Sequence, residues 1–293
     1  MKHLFLTLSF ISYSLLATSF GAEFNWVNPP KKQYENLFHA TFKSPSMKLD
    51  IGYNIYLPSS YQTKKNKRFP VIYYLHGGRP GSESKSIALV PYIHSAMKNK
   101  KVEDMIYVFV NGGKMSHYNM PDLNSMGEDI FIRELIPHID TTYRTISHRS
   151  ARGIEGFSQG GRGTTRIMFE YPELFLSAAP GGSGYETEKK ISESGGYENP
   201  KLFFGPGYNT WDRARKYAKT KQPSLKIMFH VGTKGFNYQN NLDYMKFMDE
   251  LAIPYQKTIV PDVPHSAKKI YELAGLKLMQ FHSRNFQQAK KSN

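Results

Sequence analysis

The chain has 293 residues, 40% of them hydrophobic and 14% aromatic, a globular composition with ample material for a core and unlike that of a disordered chain. It contains no cysteine, which excludes disulfides, thiolate metal sites and a cysteine nucleophile. The formal charge of +15 suits acidic partners such as anionic polysaccharide, but the lysines are scattered and no zinc finger, RNA-binding motif or basic helix accompanies them, so nucleic acid is not expected.

The first residues, MKHLFLTLSFISYSLLATSFGAEF, combine Lys2, an apolar run through Leu16 and the small residues Ala17, Thr18, Ser19, Gly21 and Ala22. That layout predicts a secretory signal peptide over residues 1–22, with 23–293 as one exported domain, periplasmic or extracellular. The run is short for a membrane span and no later segment approaches that length, so no stable membrane insertion is expected after cleavage. Export without disulfides suits a bacterial periplasm or exterior.

From Lys48 to Leu57, KLDIGYNIYL alternates with period two and predicts a strand with one buried face. FPVIYYLHGG and MIYVFVNGG then read differently, as short continuous apolar runs ending in glycine, which suits interior strands of a parallel sheet. Phe131, Ile132, Leu135 and Ile139 fall on one helical face, and so do Thr164, Ile167, Met168 and Tyr171. KIMFHVG and YQKTIVP are two later strands, separated by Tyr244, Met245, Met248, Leu251 and Ala252 at helical spacing. The alternation predicts an α/β fold, a mostly parallel sheet with helices on both faces. The segment from Ser183 to Pro223, punctuated by Gly and Pro, reads as an irregular insertion over the sheet's edge.

In IEGFSQGGRG, Gly156, Ser158 and Gly160 form a G-x-S-x-G pattern where a short strand gives way to a helix. Flanking glycines let strand and helix pack closely around a sharp turn that exposes the hydroxyl, so Ser158 is a candidate nucleophile. It needs a base. Three histidines follow: His230 inside an apolar strand reads as core, His282 in the last helix as surface or packing, and His265, in VPDVPHSAKK just past the last strand, stands where a base is required. Oxyanion donors are available from the backbone of Gly78, in LHGGRPG at another strand end, and of Gln159.

These stretches, with VFVNGG and the SHY after it, EDIFIRELIPHIDTTYRT, RGIEGFSQGGRGTTRIMFEYPELF and PHSA, resemble the esterase D group of α/β-hydrolases. That group includes the family-one carbohydrate esterases (feruloyl and acetyl-xylan esterases), S-formylglutathione hydrolases, siderophore esterases and mycolyltransferases. The resemblance runs from about Phe69 to His265 and implies an α/β-hydrolase fold. By it, Ser158 is the nucleophile, His265 the base, Gly78 and Gln159 the oxyanion donors, and Tyr118 a residue lining the acyl side of the cleft. It implies no metal and no organic cofactor. With export, it points to acetyl or feruloyl groups on carbohydrate, so that the partner is a small-molecule or polysaccharide ester.

One position departs from the group. Its acid usually stands in a G-x-x-D stretch about thirty residues before the histidine, and here Gly235 occupies that place, in GTKGFNYQNN. Glu186 is the preferred replacement, with Glu188, Asp262 and Asp243 as further candidates. Two rival functions follow: acyl transfer to a sugar hydroxyl on the same residues, or a non-catalytic carbohydrate-binding relative that kept Ser158 and His265 but lost the acid.

Overall fold

The computed structural model describes residues 24–185 and 207–292. Ten strands occur among them: β1 (Leu37–Lys43), β2 (Asp50–Tyr56), β3 (Val71–Leu75), β4 (Ile106–Val110), β5 (Asn119–Met120), β6 (Ser125–Met126), β7 (Arg152–Phe157), β8 (Ser177–Gly181), β9 (Lys226–Lys234) and β10 (Gln256–Pro264). The helices are α1 (Ser60–Thr63), α2 (Val90–Lys98), α3 (Gly127–Asp129), α4 (Ile136–Thr142), α5 (Gln159–Glu170), α6 (Thr210–Ala218), α7 (Tyr238–Glu250) and α8 (Ala267–Ser292), with a π-helical stretch, Ile130–Leu135, joining α3 to α4.

Eight strands form one sheet in the order β1-β2-β4-β3-β7-β8-β9-β10. From β4 to β10 every neighbouring pair is parallel, and β1 and β2 add an antiparallel edge. The continuous apolar runs are explained by burial on both sides. In β3, Val71, Tyr73 and Leu75 enter the core beneath α4, α5, α6 and α7, while Ile72 and Tyr74 enter the opposite core beneath α2 and α8. The chain leaves β3 for β4 on one side, and β7 returns on the other. Between β3 and β7 the connections diverge, which is where open parallel sheets place their ligands.

Two expectations change. β2 is buried on both faces, because Asn54 and Gly52 lie against the loop carrying Ser84 and Glu83: Asn54 Nδ2 donates to Ser84 Oγ at 3.0 Å. The polar alternation of that strand reflects internal hydrogen bonding and not a solvated face. The described part of the segment from Ser183 to Pro223 contains helix α6, started by Asn209, whose side chain accepts from the Asp212 N–H at 2.8 Å. α6 packs along α5 and buries it from Gln159 to Phe169.

That burial forces charge pairing. Arg166, fully buried on α5, and Arg213 on α6 converge on the Glu128 carboxylate at 2.6 and 3.1 Å. Burial alone would raise the Glu128 pKa, and the two guanidinium groups outweigh it and hold it below the usual carboxylate value.

Candidate active site

Ser158 joins β7 to α5 with φ 60° and ψ −118°, a backbone conformation that L-residues rarely adopt. Its N–H donates to the Gly181 carbonyl of β8 at 2.8 Å, and its own carbonyl accepts from the Arg162 N–H at 3.0 Å. The turn also needs glycine: a Cβ on Gly160 would lie 1.9 Å from the Leu75 carbonyl oxygen, so only a bare Cα lets α5 begin this close to β3.

His265 follows β10 directly and points its Nε2 at the serine, 2.9 Å from Ser158 Oγ. Its Nδ1 lies 3.3 Å from Oδ1 of Asn237, in the loop between β9 and α7. Asn237 is buried, and its Nδ2 donates to the Gly182 carbonyl, which fixes the amide with Oδ1 toward the histidine. Nδ1 must then carry the proton, and Nε2 is left with a lone pair for the serine hydroxyl. Burial pushes His265 down to about 4, so the ring is neutral at ordinary pH.

Among the described residues, therefore, the side chain facing His265 Nδ1 is that of Asn237 and not one of the carboxylates expected. Asp262 turns outward to Lys234 at 2.8 Å with a side chain 79% exposed, and Asp243 accepts from Gln239 on α7. Glu186 and Glu188 lie outside the described residues. Gly235 does stand beside the site, since a Cβ built on it would lie 3.3 Å from Asn237 Oδ1. The tight turn closed by Gly235 N–H to Gly232 O, at 3.0 Å, brings the residue two places further on to the imidazole.

On the opposite side of Ser158, the Gly77–Gly78 turn follows β3, with Gly78 at φ +70° and its carbonyl accepting from Ser116 Oγ. The N–H of Gln159, first residue of α5, is one of the helix-start donors without an intrahelical acceptor. Two histidines that sequence reasoning passed over brace this turn. His76 Nε2 accepts from the Gly112 N–H at 3.1 Å, so its Nδ1–H donates to Gly77 O at 3.0 Å, and His117 Nε2–H donates to His76 O at 3.0 Å. Burial pushes His76 down to about 4 and keeps it the neutral tautomer this bracing needs. The sequences LHGG and SHY held the signal, but only their spatial pairing reveals it.

Tyr118 is placed differently from the expectation. It is fully buried, with the Arg166 guanidinium 3.8 Å and that of Arg79 5.7 Å from its ring centre, so it underlies the site and does not line an open cleft. His230 is core, its ring against Phe157, and His282 is buried with Nδ1 2.7 Å from Ser177 Oγ. Two phenylalanines flank the His265 ring: Phe157 from the core at 4.8 Å between centres and Phe236 from outside at 4.2 Å. Among the described residues no group of three His, Cys, Asp or Glu side chains is placed to hold a metal.

A family described as "Putative esterase" matches residues 44–258, about three quarters of the chain. The chain belongs to this esterase family. Curated relatives include an esterase of Mycobacterium tuberculosis, 28% identical over 147 residues (49% of this chain, 31% of that protein). Another is an endo-1,4-beta-xylanase/feruloyl esterase of Xylanibacter ruminicola, 28% identical over 154 residues (48% of this chain, 20% of that protein). This esterase thus spans a third or less of the length of those relatives. Among solved structures it resembles a ferulic acid esterase (TM-score 0.71, 20% identity, covering 85% of this chain and 98% of that one). It also resembles the S-formylglutathione hydrolase of Staphylococcus aureus (0.68, 18%, 84% and 98%) and the family-one ferulic acid esterase of Anaeromyces mucronatus, solved with ferulic acid (0.64, 19%, 89% and 95%). At these identities the structures establish the fold: the sheet is that of the α/β-hydrolase esterases.

Proposed function

We propose that this esterase is an exported serine hydrolase that removes acyl groups, acetyl or feruloyl, from carbohydrate, with an asparagine in the place of the triad acid. The observation that carries the reaction is the 2.9 Å contact from His265 Nε2 to Ser158 Oγ, with the other ring nitrogen committed to Asn237. Ser158 Oγ attacks the ester carbonyl carbon as its proton passes to His265 Nε2, and the oxyanion is held by the N–H groups of Gly78 and Gln159. Collapse breaks the bond to the alcohol, which leaves with the proton from Nε2. Water then attacks the acyl-enzyme, giving its proton to Nε2, and the acid departs as the proton returns to Ser158.

The carbohydrate substrate is supported by the feruloyl esterase relatives, and export by the amino-terminal sequence. The test is hydrolysis of small activated acetyl and feruloyl esters by the parent protein, Ser158→Ala and His265→Ala. Turnover that disappears in both variants is expected. A parent no faster than Ser158→Ala on either ester would refute hydrolysis and favour the carbohydrate-binding reading, for which the uncharged Asn237 is the one favourable observation.

A further inference from the structure

Phe236 is 83% exposed, the most exposed of the large hydrophobic side chains among the described residues, yet its ring sits 4.2 Å from that of the catalytic histidine. A phenylalanine so solvated is unfavourable unless something covers it in use. Its position in the sheet says what. Ser158 ends β7; the oxyanion turn ends β3, next to β7 on one side, while Phe236, Asn237 and His265 follow β9 and β10 on the other. An ester bound for attack turns its carbonyl oxygen toward the β3 turn, and its departing alcohol must lie within reach of His265 Nε2, which protonates it. The alcohol therefore leaves over the side where Phe236 stands.

We infer that Phe236 is a specificity-determining platform for the alcohol half of the ester, and that this alcohol is a sugar ring. The inference rests on the esterase reading above. An exposed ring offers one flat face, open on its far side. A flexible alkyl chain gains little from one-sided contact and loses rotamer freedom on binding, whereas a rigid pyranose presents a face of C–H groups to the ring and keeps its hydroxyls in water. Lys268 and Lys269, exposed just beyond His265, keep the surroundings polar, as a sugar's outer hydroxyls require.

The test compares kcat/KM for an acetylated xylo-oligosaccharide with that for ethyl acetate in the parent, Phe236→Ala, Phe236→Leu and Phe236→Trp. The ratio of sugar ester to ethyl ester should fall about five- to tenfold in Phe236→Ala and Phe236→Leu and be retained in Phe236→Trp. Equal losses on both esters, or full retention in Phe236→Leu, would mean the ring only shields His265 and would overturn the platform. Binding of the deacetylated oligosaccharide to Ser158→Ala, with and without Phe236→Ala, separates the two readings. Binding that depends on Phe236, together with a parent protein that hydrolyses neither ester, would sustain the platform and sink the esterase. Binding unaffected by Phe236 would sink the platform alone.

Discussion

An amide oxygen can accept a hydrogen bond from an imidazole, as a carboxylate oxygen does, but it binds more weakly and brings no negative charge. Asn237 can therefore set the tautomer of His265 without stabilising the imidazolium that forms as Ser158 attacks. Asn237→Asp should raise kcat roughly ten- to a hundredfold, less than the four orders of magnitude lost on the reverse exchange in the serine-protease example, because the tautomer here is already correct. The same substitution should move the acidic limb of the pH–kcat/KM profile upward. In the parent that limb lies low: protonated His265 cannot accept the serine proton, so activity should fall as pH drops through about 4 and stay level up to neutrality. Steady-state kinetics across pH on both proteins checks both statements. Asn237 escaped the sequence reading because amides lie outside the expected triad pattern and because the turn after Gly232, invisible in residue types, decides which side chain meets the ring.

Strand β7 carries chemistry on one end and a buried acid on its flank. Glu155, three residues before Ser158, is fully enclosed beneath α8, with both its oxygens within hydrogen-bond distance of the Tyr271 hydroxyl, at 2.8 and 2.9 Å. Burial pushes it up to about 8. The folded protein thus holds a proton that the unfolded chain releases above about pH 4.5, and stability should decline as pH rises from there to about 8, by a few kcal/mol in order of magnitude, then level off. Urea titrations at several pH values should show this decline in the parent and its absence in Glu155→Gln. At the start of α5, Gly160→Ala should cost about 1–3 kcal/mol or more by driving Cβ into the Leu75 carbonyl, seen as a lowered Tm with activity lost in parallel. The elements around these residues were readable wherever burial was simple: β3, β4 and β9 announced themselves as apolar runs. α6 was not, because its charged sequence TWDRARKYA lies in a Gly- and Pro-rich stretch, although Asn209 with Asp212 three residues later was a legible helix start. β1, in which only Leu37 and Phe42 are buried, carried too little alternation to be seen.

Across the whole molecule, positive charge outweighs negative by 15. If the natural ester hangs on an anionic polysaccharide, kcat/KM on an acetylated uronic-acid polymer should fall several-fold from low to physiological ionic strength, while that on ethyl acetate should not; parallel salt series decide it. Composition could announce this charge but not where it gathers, just as the local motifs announced Ser158, His265 and Gly78 but not the packing of α6 that leaves Arg166 dependent on Glu128. The layering of the sheet also has a temporal side. One of its faces is covered by α2 and by the 26-residue α8, and α8 is made last of all the elements described. While α8 is still unmade, Ile72, Tyr74, Tyr107 and Phe109 have only a partial roof, and His265, just ahead of α8, has not yet met Ser158. Ser158 thus meets His265 only after the 107 positions that separate them in the chain have been made, and a nascent chain carrying the assembled elbow alone still lacks that contact.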